Sequence, residues 1–471
     1  MLGSRPRRKR PLTDLTARFV AEALGLPPPA DPDLVFTAVS THSRSLPAGA
    51  LFVPIRGERF DGHDFIPAAL KLGARGVLSA RPVEAGPSIA VFPVDDTLAA
   101  FRRLAAAWRR RFAIPVVAVA GSVGKTTTKD MLAAALSGRW KTLATEASRN
   151  GDVGIPMTLL ALTAEHQAAV VEIGIDEIGA MERHLTLVHP TAAVVTAVGA
   201  EHLEKLRDLQ TVAREESLAL KTVAREGGLT VVNLDDPWLA PLFEQLSTPA
   251  KIGFTLRAGP QSQGVLRGRA SEPFDALQAG REIYRMPLPG THNAANLLAA
   301  VAVATGLGLS PDEIRRGLTG FRPPEGRSEI RRIPGGPLVL CDYYNANPVS
   351  MSAALALLAN LPVSGARWAC LADMLELGPG EEHLHRELAE PLARAGAARV
   401  LLVGPLMATL AAELRSRSFP GRVEHFANVP DLAEALARGV QPEDAVLVKG
   451  SRGMKMERVL TSLEPRGGKA Q

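Results

Sequence analysis

The feature that most constrains how this chain can fold is an apolar run, Pro115–Ala120, that enters Gly121-Ser122-Val123-Gly124-Lys125-Thr126 and continues as a helical stretch from Thr127 to Leu136, stopped by Gly138. Strand, glycine loop and helix in that order form a phosphate-gripping unit. The glycines let backbone N–H groups converge on an anion, the lysine reaches β/γ-phosphate oxygens, and the hydroxyl faces Mg²⁺. The helix N-terminus adds its positive dipole end. The usual pattern has a further glycine five residues before Gly124, where this chain carries Val119. A glycine turn beside a surface lysine is the bland alternative, and the strand–loop–helix context weighs against it.

The 471 residues exceed one ordinary core and suggest about three domains. A hydrophobic content of 46% supports packed cores, and 22% charge argues against disorder. The formal net charge of +5 equals the contribution of Arg5, Arg7, Arg8, Lys9 and Arg10 alone, so the remaining chain is neutral. No basic field covers the body, so no nucleic-acid partner is expected, and the short arm reads more readily as a solvated tail than as a nucleic-acid or membrane contact. Cys341 and Cys370 lie in apolar runs and read as buried thiols in a reducing compartment. No window approaches 18 uncharged apolar residues, so a cytoplasmic protein without membrane insertion is expected.

The chain divides into a basic arm and lead-in (1–33), a small α/β domain (34–110), a domain carrying the glycine loop (111–328) and a third, doubly wound domain (329–471). In the second, strands are expected at Ala168–Ile173, Ala192–Val198 and Leu229–Asn233, with a helix over Leu209–Val223. In the third, strands are expected near Leu338–Asp342, Trp368–Leu371, Val400–Val403 and Ala445–Val448. Helices are expected at Met351–Leu358, His383–Ala395, Leu432–Ala437 and Met454–Leu463. Strands alternating with helices imply mostly parallel sheets covered on both faces.

Glu172 ends an apolar strand, where a carboxylate can reach a metal held by a triphosphate. A cap or ion-pair role is equally open to it. His202 follows the next strand, and alone would read as structural. The segment Asp342-Tyr343-Tyr344-Asn345-Ala346-Asn347-Pro348 lies more than two hundred residues beyond the loop and must belong to another domain; with Asn347 or Ser350 as cap it could also be a plain strand-to-helix turn.

Taken in order, Gly121–Lys129, Glu172, His202, Gly290-Thr291-His292-Asn293, Gly326-Arg327, Asp342–Pro348, Asp373-Met374-Leu375-Glu376-Leu377-Gly378 and Lys449-Gly450-Ser451-Arg452 resemble the Mur ligases, over about residues 35 to 460. YNANP and DMLELG resemble the branch that adds D-alanyl-D-alanine to UDP-MurNAc-tripeptide. The resemblance implies a three-domain α/β architecture: a small N-terminal UDP-sugar domain, a central ATPase-like mostly parallel sheet and a C-terminal Rossmann-like domain. It implies an ATP- and Mg²⁺-dependent amide ligase working through an acyl phosphate; a monomer is the expectation, though the sequence itself is silent on oligomeric state. By that resemblance Gly121, Ser122, Val123, Gly124, Lys125, Thr126 and Thr127 cradle the phosphates. Thr126 and Glu172 hold one Mg²⁺ and His202 a second. Asn293 meets adenine, and Arg327 and Asp342 close over the nucleotide. Ser43 and Arg44 face uridine; Asn150, Asn345, Asn347, Ser350 and Lys449 complete the substrate set.

Several positions depart from the family pattern. Where its members carry a lysine whose carbamate bridges two Mg²⁺ ions, Val212–Ser217 places Glu216, with Glu215 or Lys221 the alternatives if the alignment slips. His42, Gly151, Ala180 and Cys341 replace an Asp, an Asn, a Glu and an acid. Three other readings compete: a ligase for another amino-acid substrate, a catalytically degenerate nucleotide- and UDP-sugar-binding regulator favoured by Glu216, Ala180 and His42, and a nucleotide switch that would leave DMLELG unexplained.

Overall fold

The computed structural model describes residues 15–57, 60–260, 262–272 and 274–463. The basic run Arg5–Arg10 lies outside them. The described residues pack into two compact units, one drawn from the segments 15–118, 140–173 and 182–191, the other from 119–139, 174–181 and 192–463.

The first unit holds a four-stranded parallel sheet of Val39–Ser40, Leu51–Phe52, Gly76–Ser79 and Ala90–Pro93 in sequence order. Phe52, Ala69 and Val77 form part of its core. Helix Thr97–Arg109 starts at Asp96, whose carboxylate accepts from the Leu98 and Ala99 N–H groups at 2.8 and 3.0 Å, satisfying two orphan donors. It ends at Arg109, whose buried guanidinium donates to the carbonyls of Phe112, Val188 and His189. Strands Thr142–Ala144 and Ala168–Glu172 pair in parallel in the same unit.

In the second unit, Ala192–Val195, Leu229–Asn233, Lys251–Thr255 and Val265–Ala270 pair in parallel, and the antiparallel strands Ala276–Ala279 and Glu282–Arg285 extend that sheet. A second, six-stranded sheet runs in the order Glu329–Arg332, Leu338–Cys341, Ala445–Lys449, Arg367–Ala372, Ala397–Val403 and Arg422–Phe426, with only its first strand antiparallel. Successive side chains point to opposite faces of a strand, and both faces here are apolar. Leu338, Leu340, Ala369, Leu371 and Leu447 pack with Met351, Leu355, Leu392 and Leu410 on one side. Val339, Cys341, Trp368, Cys370, Val446 and Val448 pack with Leu432, Leu436 and Val459 on the other. Near-continuous apolar strands are what a sheet covered on both faces requires. Both cysteines are free and buried in that second layer. Burial pushes the Cys341 thiol up to about 12 and raises that of Cys370 further.

Two expectations for the third domain need correction. The helix read over His383–Ala395 is two, Glu381–Arg386 and Ala389–Arg394, because Pro391 has no N–H for the Glu387 carbonyl. The last helix is two 3₁₀ turns, Arg452–Met454 and Met456–Ser462, separated by Lys455 at φ +56°. The strand expected to reach Val198 stops at Val195.

Candidate active site

Each sheet delivers its functional residues just beyond the carboxyl ends of its strands, where open α/β sheets bind ligands. Strand Val116–Ala120 leads into the glycine loop, and helix Lys125–Ser137 follows. Gly121 lies at φ +117°, and a Cβ there would stand 2.3 Å from the Thr196 hydroxyl. Gly124, at φ +87°, would place one 2.4 Å from Asn296 Oδ1. Only glycine meets both demands. The Ser122 N–H donates to the Ala197 carbonyl at 2.7 Å, and the Thr196 hydroxyl donates to the Val123 carbonyl at 2.6 Å. Val119 sits inside the strand with no exposure, so the departure from the glycine pattern falls in the core.

Lys125 Nζ donates to the Gly121 carbonyl at 2.5 Å and lies 3.2 Å from Glu201. Beneath the loop, helix Leu209–Arg225 presents Glu216, which is fully buried and accepts the Gly121 N–H on Oε2 at 2.7 Å. Its Oε1 has no hydrogen-bond partner. Burial pushes the Glu216 carboxyl up to about 7, against the pull of Lys125 and with the help of Glu201. Glu215 is drawn elsewhere, accepting the Gly179 N–H. His202, at φ +51°, places Nε2 3.6 Å from Glu201 and Nδ1 2.6 Å from Glu376.

A cavity of about 180 Å³ is lined by Gly124 of the loop, by Asn293 and Arg327, and by Asp342, Asn347 and Lys449 of the third domain. Ser122 and Thr127 line it too, while Thr126 is buried at the start of the helix. The Asn293 amide donates to the Pro289 carbonyl at 2.8 Å and its Oδ1 accepts from Asn296. Asp342 accepts from the Ser328 N–H at 2.9 Å and from Lys449 Nζ at 2.6 Å, and Lys449 also donates to the Asn345 carbonyl. His292 is bonded to the Ser328 hydroxyl, and burial lowers its pKa. The Arg327 guanidinium lies 4.2 Å above the Tyr344 ring. Asn347 and Ser350 line the same cavity, and their side chains close a capping box on helix Pro348–Ala359.

In the first unit, Glu172 is buried at its strand end and accepts from the Asn150 amide at 2.8 Å. Ser43 and Arg44 occupy a turn after strand Val39–Ser40. Gly151 has open space around its missing Cβ, so the residue itself fits without demand. Sequence reasoning did not single out Glu201, Tyr344 or Glu376 as site residues. Tyr344 and Glu376 lay inside motifs already quoted and Glu201 stands next to His202, but only folding shows that Glu201 meets Lys125, that Tyr344 lies under Arg327 and that Glu376 meets His202.

A phosphate loop and a second doubly wound domain lining one cavity define a nucleotide-using α/β enzyme. The chain belongs to the Mur ligase family: residues 35–109 match the family's catalytic-domain model, 119–304 its middle domain and 326–452 the glutamate ligase domain. It is 34% identical over 431 residues to the UDP-N-acetylmuramoyl-tripeptide--D-alanyl-D-alanine ligase of Bacillus subtilis, covering 91% of this chain and 93% of that one. It is 35% identical over 446 residues to the enzyme of that name from Escherichia coli, covering 92% and 95%. The crystal structure of MurF from Acinetobacter baumannii superposes with a TM-score of 0.82 at 28% identity, over 96% of this chain and 99% of that one. MurF from Thermotoga maritima in complex with ADP gives 0.77 at 26% identity, over 90% and 96%.

Among the described residues no group of three or more His, Cys, Asp or Glu is arranged to hold a metal ion by itself. Mg²⁺ does not ask for one, since it takes one or two carboxylates and completes its shell with phosphate oxygens and water. The unpartnered Glu216 Oε1 is an oxygen donor of the hard type that such an ion prefers.

Proposed function

We infer that this chain is an ATP-dependent amide ligase that joins D-alanyl-D-alanine to UDP-MurNAc-tripeptide in peptidoglycan precursor synthesis. The observation that carries the reading is the cavity shared by the phosphate loop and the YNANP and Lys449 segments. A loop that only switched on nucleotide would have no use for a third domain at its phosphates.

The tripeptide carboxylate attacks the γ-phosphorus of ATP, the bond to ADP breaks, and an acyl phosphate forms. The dipeptide amine then attacks the acyl carbon, phosphate leaves with the C–O bond electrons, and the nitrogen gives up a proton as the amide forms. Neither step needs a covalent bond to the protein, so positioning and charge neutralisation are its work. Lys125 and the loop N–H groups hold the β/γ-phosphates, Asn293 meets adenine, and Arg327 from the linker and Asp342 from the third domain close the nucleotide. Thr126, Glu172, His202 and Glu216 are the residues that would hold Mg²⁺, which when bound neutralises charge on the phosphoryl oxygens. Ser43, Arg44 and Asn150 serve the UDP-sugar side, and Asn345, Asn347, Ser350 and Lys449 the dipeptide side. Domain bounds at 34–110, 111–328 and 329–471, a monomeric state and a cytoplasmic location belong to the same proposal. No helix among the described residues is long and apolar enough to cross a membrane.

Phosphate release from Mg-ATP tests it. Release that requires both UDP-MurNAc-tripeptide and D-alanyl-D-alanine, with matching UDP-MurNAc-pentapeptide, is expected. Nucleotide binding without turnover would return the degenerate regulator to first place.

A further inference from the structure

The loop after strand Arg367–Ala372 is pinned within the third domain. Asp373 accepts from the Met407 N–H, Met374 N–H donates to His385 Nε2 at 2.9 Å, and Leu375 N–H donates to the Ser451 hydroxyl at 2.9 Å. Gly378, at φ +66°, lets that loop approach the backbone of Glu204: a Cβ there would stand 3.1 Å from the Glu204 nitrogen. Between these anchors Glu376 is held at φ +65° and extends to His202 Nδ1 at 2.6 Å, while His202 itself sits at φ +51°. Non-glycine residues occupy the left-handed region at a cost, and such strain clusters at functional sites.

The pair does little for stability, because His202 is 29% and Glu376 61% exposed at the side chain. Both residues line a second concavity of about 250 Å³ with Glu201, Asn345, Asn347 and Arg452. An imidazole that donates one ring N–H to a carboxylate has its tautomer and ring orientation fixed, with the other nitrogen left as acceptor or ligand.

We propose that Glu376 is a positioning residue for His202: it takes the Nδ1 proton in a hydrogen bond and leaves Nε2, beside Glu201, as the working nitrogen. The third domain thereby fixes the orientation of a histidine carried by the central one. This rests on the ligase reading only for its kinetic half.

The test is ¹⁵N NMR of histidine-labelled protein at about pH 8, above the ordinary histidine pKa, without substrates, with the signal assigned through His202→Gln. In the wild type, His202 is expected as the Nδ1–H tautomer, and Glu376→Ala is expected to shift it to a mixture. In the ligase assay Glu376→Ala should lower kcat by about 10- to 100-fold with the KM for ATP changed less than about threefold. Glu376→Gln, which keeps an acceptor, should recover most of that loss. An unchanged tautomer in Glu376→Ala overturns the proposal, and so does a shifted tautomer with unchanged kcat. If the wild-type protein does not ligate, the ligase reading fails while the tautomer result still decides whether Glu376 orients His202.

Discussion

Glu216 carries the largest consequence at the scale of single residues. Its folded pKa near 7 lies above the reference 4.5, so between those values the native state holds more protons than the unfolded one. Stability therefore falls as pH rises through that window, and the penalty is complete above about 7. Glu216→Gln keeps an acceptor for the Gly121 N–H and removes the charge. We expect it to flatten the pH dependence of denaturant unfolding between pH 4.5 and 7, and to stabilise the protein above pH 7 by on the order of 3 kcal/mol. Activity should suffer in the same variant if Glu216 supplies a metal-facing carboxylate. As a carboxylate encoded in the sequence, Glu216 should also make turnover indifferent to removal of CO₂, and rescue of Glu216→Ala by bicarbonate would count against that role. The position of Glu216 could be read by alignment. Its bond to Gly121 could not, because 95 residues separate the two and nothing local links them.

Among elements, those with strong local chemistry were legible and those that depend on neighbours were not. Leu229–Asn233 and the helix after the glycine loop follow from apolar runs and punctuating glycines. The strands Lys251–Thr255, Val265–Ala270, Ala276–Ala279 and Glu282–Arg285 escaped. They are short, mix Arg267, Arg269 and Glu282 with apolar residues, and gain their conformation from pairing. The N-terminus of helix Pro348–Ala359 raises a sharper question, since Asn347 is both its cap and a substrate-binding candidate. Asn347→Ala should cost about 1 kcal/mol through the lost cap. Asn347→Ser keeps a capping hydroxyl and should leave thermal stability near wild type. A raised KM for D-alanyl-D-alanine in the serine variant would assign Asn347 a contact with substrate, and an unchanged one would leave it a cap.

For the whole molecule, the three-domain α/β architecture was readable because eight motifs fall in order along most of the chain, a constraint no single glycine loop imposes. What could not be read is how side chains more than a hundred residues apart meet, as Asp342 and Lys449 do. Saturating Mg-ATP, at about a hundred times its dissociation constant, should stabilise the native state by about 2.7 kcal/mol and raise the melting temperature by roughly 2–3 °C. Lys125→Ala should abolish the shift, and a full shift in that variant would remove Lys125 from nucleotide binding. The two thiols of the third domain add an unplanned instrument. Cys341 and Cys370 share one sealed apolar layer, so an alkylating reagent can reach them only when that layer opens. Their modification rate, with no label introduced, would time how often the third domain breathes.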